Sequence, residues 1–135
     1  MSPVIPQTLY RSARPGYAGG QPLPVPMGRL QLWLDAVRAI GIESIICLCT
    51  EDQIHLYPGA TLIEFYEVAG FHVRHIRVEK GQHPPLNQQQ LAAVLEAWRE
   101  LPKPVLVHCS AGLDRTDAAI EHILNHRHRA WNSAA

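Results

Sequence analysis

Between Arg29 and Ile40 the apolar residues Leu30, Trp33, Leu34, Val37 and Ile40 recur at intervals of three and four. That stripe predicts a helix, and Gly41 stands where its C-cap belongs. Ser44 to Leu48 (S-I-I-C-L) is a short continuous apolar run, the pattern of a strand buried on both faces of a parallel sheet. Thr61 to Ala69 predicts a helix with Leu62, Phe65, Tyr66 and Ala69 on one side, closed by Gly70. Phe71 to Val78 alternates basic and apolar residues and reads as a strand. Leu86-Asn87 opens a helix that carries Leu91, Val94, Leu95 and Trp98 and stops before Pro102. Val105 to Val107 is another short strand, and Asp114 to His126 reads as a helix. Upstream, Met1 to Gly28 holds Pro3, Pro6, Pro15, Pro22, Pro24, Pro26 and Gly19-Gly20, which punctuate the chain. One short strand, Thr8 to Arg11, is expected there, followed by an irregular segment. Strand and helix alternate along the chain. The expected class is therefore α/β, a mainly parallel central sheet flanked by helices, with right-handed crossovers. No linker or internal repeat divides the 135 residues. One minimal domain is expected, with 1–28 packed on it and 127–135 as a tail.

The composition narrows the function classes. The chain is 47% hydrophobic and 18% charged, so it can bury an ordinary core. Twelve basic side chains balance twelve acidic ones. No global positive field recruits nucleic acid or an anionic membrane, so any anionic ligand is held by a local site. No apolar stretch is long enough to span a bilayer, and the N-terminus lacks the apolar run of a signal peptide. Three cysteines, Cys47, Cys49 and Cys109, make no disulfide framework. A reducing, cytoplasmic compartment is expected.

The chemistry concentrates in Val105 to Thr116, V-L-V-H-C-S-A-G-L-D-R-T. A buried strand runs into a short loop containing Gly112, and a helix follows. Ligands of open α/β sheets sit at such carboxyl ends of strands. A loop entering a helix N-terminus offers unpaired N–H groups and the positive end of the helix dipole, which suit a tetrahedral dianion. The same features and Arg115 favour the thiolate of Cys109 as a nucleophile. Arg115 can grip two phosphate oxygens through its planar fork. Thr116 can donate its hydroxyl to the sulfur when that sulfur leaves. His108 precedes Cys109, so its side chain falls on the other side of the strand, where it is expected to orient the loop by hydrogen bonds. Cys109 taken alone reads as a small buried hydrophobe, and Arg115 alone as a surface charge. The combination of His, Cys, Gly, Arg and Thr at one strand-loop-helix junction favours the catalytic reading.

H-C-S-A-G-L-D-R-T resembles the signature of the protein tyrosine phosphatase superfamily, H-C-x-x-G-x-x-R-[ST]. L-Y-R-S-A-R-P (Leu9 to Pro15), I-I-C-L-C-T (Ile45 to Thr50) and F-Y-E-V-A-G-F-H-V-R-H-I (Phe65 to Ile76) resemble small atypical dual-specificity phosphatases, the kinase-associated type among them. The resemblance implies that Cys109 is the nucleophile, Arg115 the phosphate-binding arginine and Thr116 the leaving-group hydroxyl. It implies that the amides of Ser110, Ala111, Gly112, Leu113, Asp114 and Arg115 bind phosphate. It also implies a two-step hydrolysis through a phosphocysteine, with no metal or other cofactor.

Three features depart from that family. The general acid is usually an Asp on an upstream loop, but here the stretch is V-E-K-G-Q-H-P-P (Val78 to Pro85), with Lys80 in the slot and Glu79 beside it. His83 on the same loop titrates in the right range. Asp114 lies inside the phosphate loop, and some lipid-directed members such as myotubularins also show D-R-T there. The order of preference is Asp114, then Glu79, then His83. Asp117 stands where the family usually has Gly, and a carboxylate there favours the helix but opposes phosphate. The chain ends soon after one helix, where family members usually continue.

The remaining candidates are weighed more simply. Cys47 and Cys49 form a C-x-C pair best read as buried packing, since two ligands make no structural zinc site. If the Cys49 strand neighbours the Cys109 strand, Cys49 is a candidate for a protective disulfide with Cys109 under peroxide. Arg14 either lines the pocket or is a solvated loop arginine. Arg74 and Arg77 read as polar decoration of a strand, and Trp33 and Trp98 as core. His122, His126, Arg127, His128 and Arg129 read as a charged helix end, weak as an RNA-binding patch, and Trp131 lies in the tail. The expected function is phosphomonoester hydrolysis on phosphotyrosine or phosphoserine/threonine proteins or small phosphoesters. Membrane partners are not expected and nucleic acid ranks low. The alternatives are a catalytically weak phosphate-binding pseudophosphatase, an RNA or lipid phosphatase of the same superfamily, and a sulfurtransferase or arsenate reductase using Cys109.

Overall fold

The computed structural model describes residues 1–19 and 23–134, with side chains through Arg127. Five strands form one sheet: β1 (Ser2–Ile5), β2 (Leu9–Ser12), β3 (Ser44–Cys47), β4 (His72–His75) and β5 (Val105–His108). They lie in the order β1-β2-β5-β3-β4. All neighbours run parallel except β1, which pairs antiparallel with β2. The helices are α1 (Met27–Ile40), α2 (Glu51–Ile54), α3 (Leu62–Val68), α4 (Gln88–Glu100) and α5 (Asp114–Ala134). This is the mainly parallel α/β architecture expected from the alternating pattern.

β5 is the central strand, and all of β3 and β5 is buried. Side-chain alternation divides the core into two layers. Val105 and Val107 pack with Ile46, Val94, Trp98 and Ile123 on the face covered by α4 and α5. Leu106 packs with Ile45, Leu30, Val37 and Tyr66 on the face covered by α1 and α3. Continuous apolar strands are what two covered faces demand.

The helix boundaries follow from local chemistry. Gly41 closes α1 at φ 91°, its N–H bonding the carbonyls of Arg38 and Val37. Capping boxes open α3 at Thr61/Glu64 and α4 at Asn87/Gln90. A third, Thr50/Gln53, opens the short α2, an element the apolar pattern did not reveal.

Other differences from the expected elements have physical reasons. β1 was not anticipated because Pro3 argues against a strand, yet an edge strand tolerates proline. Its hairpin turn has Gln7 at φ 62°, where Gly or Asn would have signalled the turn. β4 is His72–His75 rather than the whole of Phe71 to Val78, because β3, its partner, ends at Cys47. α5 continues past His126 to Ala134, so His122 and His126 sit mid-helix rather than at a charged end. Gly20, Pro22 and the side chains of His128, Arg129 and Trp131 lie outside the described residues. Arg74 and Arg77 pair at the surface with Glu100 and Glu79, as strand decoration does. Trp98 is core, while Trp33 is half-buried. Among the described residues no helix is long and apolar enough to cross a membrane.

Leu106 is fully buried at the centre of one layer. Leu106→Ala should therefore lower the unfolding free energy by about 2–5 kcal/mol. Urea unfolding of both proteins measures this, with an earlier midpoint and an unchanged slope expected.

Candidate active site

β5 ends at His108, and Cys109 to Leu113 carry the chain into α5. The turn depends on Gly112, at φ +77°. A Cβ there would meet the Ser12 carbonyl and the Ala13 nitrogen at 2.7 Å. The loop is thus pressed onto the segment that leaves β2. Two further ties fix it: the Arg14 N–H donates to the Ser110 carbonyl at 2.9 Å, and Arg11 Nη2 donates to the Gly112 carbonyl at 2.8 Å.

Cys109 is 4% exposed and opens into a cavity of about 210 Å³ lined by Gln53, Ser110, Ala111, Leu113, Asp114 and Arg115. Thr116, fully buried, donates its hydroxyl to Cys109 Sγ at 3.1 Å. Sequence reasoning placed Cys109, Asp114, Arg115 and Thr116 together, and the structure brings them together. Arg115 is held by the Gln53 side-chain oxygen at 3.2 Å and the Leu48 carbonyl at 3.4 Å. Gln53 was not anticipated. Its signal was T-E-D-Q at 50–53, a capping box, which seats the same side chain on the Thr50 N–H and beside Arg115.

His108 lies on the opposite side of the strand from Cys109, as alternation requires. Its Nδ1–H donates to the Cys109 carbonyl at 2.9 Å, and its Nε2 faces the Tyr66 hydroxyl at 2.8 Å. Burial pushes the Tyr66 hydroxyl well up, so it keeps its proton and is the donor to Nε2. Trp33 stacks on Tyr66 and meets the imidazole edge-on.

Cys47 and Cys49 share this face, their sulfurs and a His108 nitrogen within 4.8 Å of one another. Both ring nitrogens of His108 already have partners. A hydrogen bond with Cys47, and then burial, push the Cys49 thiol well up, so it holds its proton. The suggested Cys49–Cys109 disulfide is not supported. Cys47 is level with His108, so Leu48 is the residue level with Cys109, and Cys49 packs in the other core layer.

The acid candidates separate in space. Asp114 lines the Cys109 cavity. Glu79 and Lys80 line a different one, with Thr50, Glu51, Asp52, Arg77 and Val78, and Glu79 pairs with Arg77 at 3.4 Å. His83 is exposed and lines neither. Asp117, the carboxylate expected to oppose phosphate, is in an ion pair with Arg11, the same arginine that holds the Gly112 carbonyl. Arg14 is 4% exposed, so it is not the solvated arginine that was the alternative.

A thiol, an arginine and a hydroxyl thus gather at the carboxyl end of the central parallel strand. The model of the Tc-R-P family, described as a polymorphic toxin system DSP-PTPase phosphatase, matches residues 30–128, and the chain belongs to that family. Among solved structures it resembles kinase-associated phosphatase with its catalytic-site cysteine replaced by serine. The match has 18% identity and a TM-score of 0.57, covering 84% of this chain and 71% of that one. At that identity the likeness is one of fold. No curated protein matches the chain. Family membership implies a phosphorylated substrate.

Two substitutions test this architecture. Tyr66→Phe strands His108 Nε2 without a donor in the core and should cost about 1–3 kcal/mol of stability, read by urea unfolding. Arg11→Leu leaves Asp117 unpaired and frees the Gly112 carbonyl. Phosphate binding by calorimetry should weaken about tenfold, and Arg11→Leu with Asp117→Asn should recover part of that loss.

Proposed function

We propose that this chain hydrolyses phosphomonoesters through a phosphocysteine on Cys109. The observation that carries the proposal is the Thr116–Cys109 contact at 3.1 Å on the wall of a cavity that Asp114 and Arg115 also line. The Cys109 thiolate attacks phosphorus in line, forming an S–P bond as the P–O bond to the leaving group breaks. Arg115 and the amides of Ser110 to Arg115 take up charge on the equatorial oxygens. Asp114 passes its proton to the departing oxygen. Water then attacks phosphorus, Asp114 accepts its proton, and the S–P electrons return to sulfur, which Thr116 stabilises by hydrogen bonding. No metal enters these steps. His108 holds the loop through the Cys109 carbonyl. Substrates are phosphorylated proteins or small phosphoesters. Three free cysteines suit a reducing, cytoplasmic setting, and the family description suggests a role within a polymorphic toxin system.

Asp114 is preferred over Glu79 as the acid because it alone of the two lines the cavity, with no loop movement required.

p-Nitrophenyl phosphate turnover should vanish in Cys109→Ser while phosphate-analogue binding persists. Undiminished turnover would refute the mechanism, and binding without wild-type turnover would identify a pseudophosphatase. Arg115→Lys should lower kcat by roughly 10²-fold or more, because one ammonium cannot bridge two oxygens.

Asp114→Asn should cut hydrolysis of an alkyl phosphate by about 10²–10⁴-fold and spare p-nitrophenyl phosphate, whose leaving group needs little protonation. It should also remove the basic limb of the pH–rate profile. The same leaving-group dependence in Glu79→Gln instead would reassign the acid.

A further inference from the structure

Arg14 stands at the edge of the Cys109 loop. Its Nε donates to Ser110 Oγ at 3.1 Å, and its Nη1 to the Tyr57 hydroxyl at 3.4 Å. Tyr57 is itself pushed up to about 12, chiefly by burial, and is therefore neutral; it donates to the Pro15 carbonyl at 2.8 Å. Tyr17 lies under the guanidinium, its ring centroid 5.6 Å away. Among the described residues no carboxylate pairs with Arg14. A guanidinium stays charged and carries five N–H donors, of which two are used here. Burying such a charge unpaired is costly, so this site is built for an anion.

The surroundings have the same sign. Arg14 and Arg29 line two adjoining cavities, of about 610 and 170 Å³, and among the described residues no Asp or Glu lines either. The larger cavity is also lined by Tyr17, Leu32 and Trp33, which offer apolar and flat surfaces. Its Ser12–Ala13 wall is the backbone against which Gly112 packs. Ser110, the partner of Arg14, lines the Cys109 cavity. The two spaces therefore share the Arg14–Ser110 contact as their boundary. Arg14 lies upstream of residues 30–128, so the family model does not include it.

We infer that Arg14, with Arg29 beyond it, forms a second phosphate subsite, so that the preferred substrate is a small phosphomonoester carrying a second phosphate. This rests on the phosphatase reading for what happens at Cys109 but not for what binds at Arg14. A small molecule is favoured over a nucleic acid strand because the net charge is zero, which leaves no extended basic surface for a polyanion. The first phosphate sits over Cys109, the second on the free Nη donors of Arg14, and the body of the molecule on Tyr17 and Leu32.

Calorimetry on the Cys109→Ser protein with inorganic phosphate and inorganic triphosphate tests the subsite. Triphosphate should bind at least about tenfold tighter. Arg14→Gln should remove that preference, weakening triphosphate far more than phosphate. Arg29→Gln changes an exposed residue and keeps the test decisive if Arg14→Gln misfolds. It should also weaken triphosphate more than phosphate. Equal affinities for the two anions, or equal losses in both variants, would overturn the subsite and leave Arg14 as a support for Ser110. Wild-type turnover of p-nitrophenyl phosphate, measured alongside, reports on the phosphatase reading separately. Its absence would refute hydrolysis without altering the anion preference.

Discussion

The contact of Gly112 with the backbone of Ser12 and Ala13 sets the geometry of the whole site. A side chain at 112 would push the loop off β2 by more than any small adjustment absorbs, since the nearest atoms are main chain at 2.7 Å. The position also needs a left-handed backbone, which glycine adopts at no steric cost. With the loop seated, Ser110 and Gly112 meet Arg14 and Arg11. Cys109 and Thr116 then face each other across one turn. The catalytic loop is therefore positioned by the N-terminal hairpin as much as by the strand it follows.

Substitutions away from the common family pattern are compensated locally. Asp117 would place a negative charge near the Cys109 loop, but Arg11 neutralises it, and the same Nη2 donates to the Gly112 carbonyl. The upstream loop carries Lys80 where the family's usual acid would stand, and Asp114 lines the Cys109 cavity. Gln53 fills the role of a side chain that keeps Arg115 in place before substrate arrives, and it costs nothing extra, because the same oxygen caps α2.

Much of the fold could be read from the sequence because hydrophobic period reports burial directly. The buried runs at 44–48 and 105–107 and the stripes of α1, α3 and α4 all answer to two covered sheet faces. The catalytic loop was legible because several specific residues fall at fixed spacing. What escaped were features decided by partners distant in sequence. β1 exists only because β2 offers an edge. β4 stops where β3 stops. Arg11 pairs with Asp117 across more than a hundred residues. For Arg14 the sequence left two readings open, a pocket residue or a solvated loop arginine, since burial of a charge has no local signature. Gln53 was the exception: the capping box that places it was visible at 50–53 and went unread.

The sheet also separates the Cys109 thiol from those of Cys47 and Cys49. Because Leu48 stands level with Cys109, the two other cysteines are turned into the opposite core layer, behind a continuous plane of hydrogen-bonded backbone. Oxidation of Cys109 to a sulfenic acid would therefore find neither Cys47 nor Cys49 placed to capture it as a disulfide, the usual brake before irreversible sulfinic acid. Recovery of Cys109 from peroxide then falls to thiols supplied by the surroundings, so the lifetime of the reduced sulfur is set by the redox buffer around it.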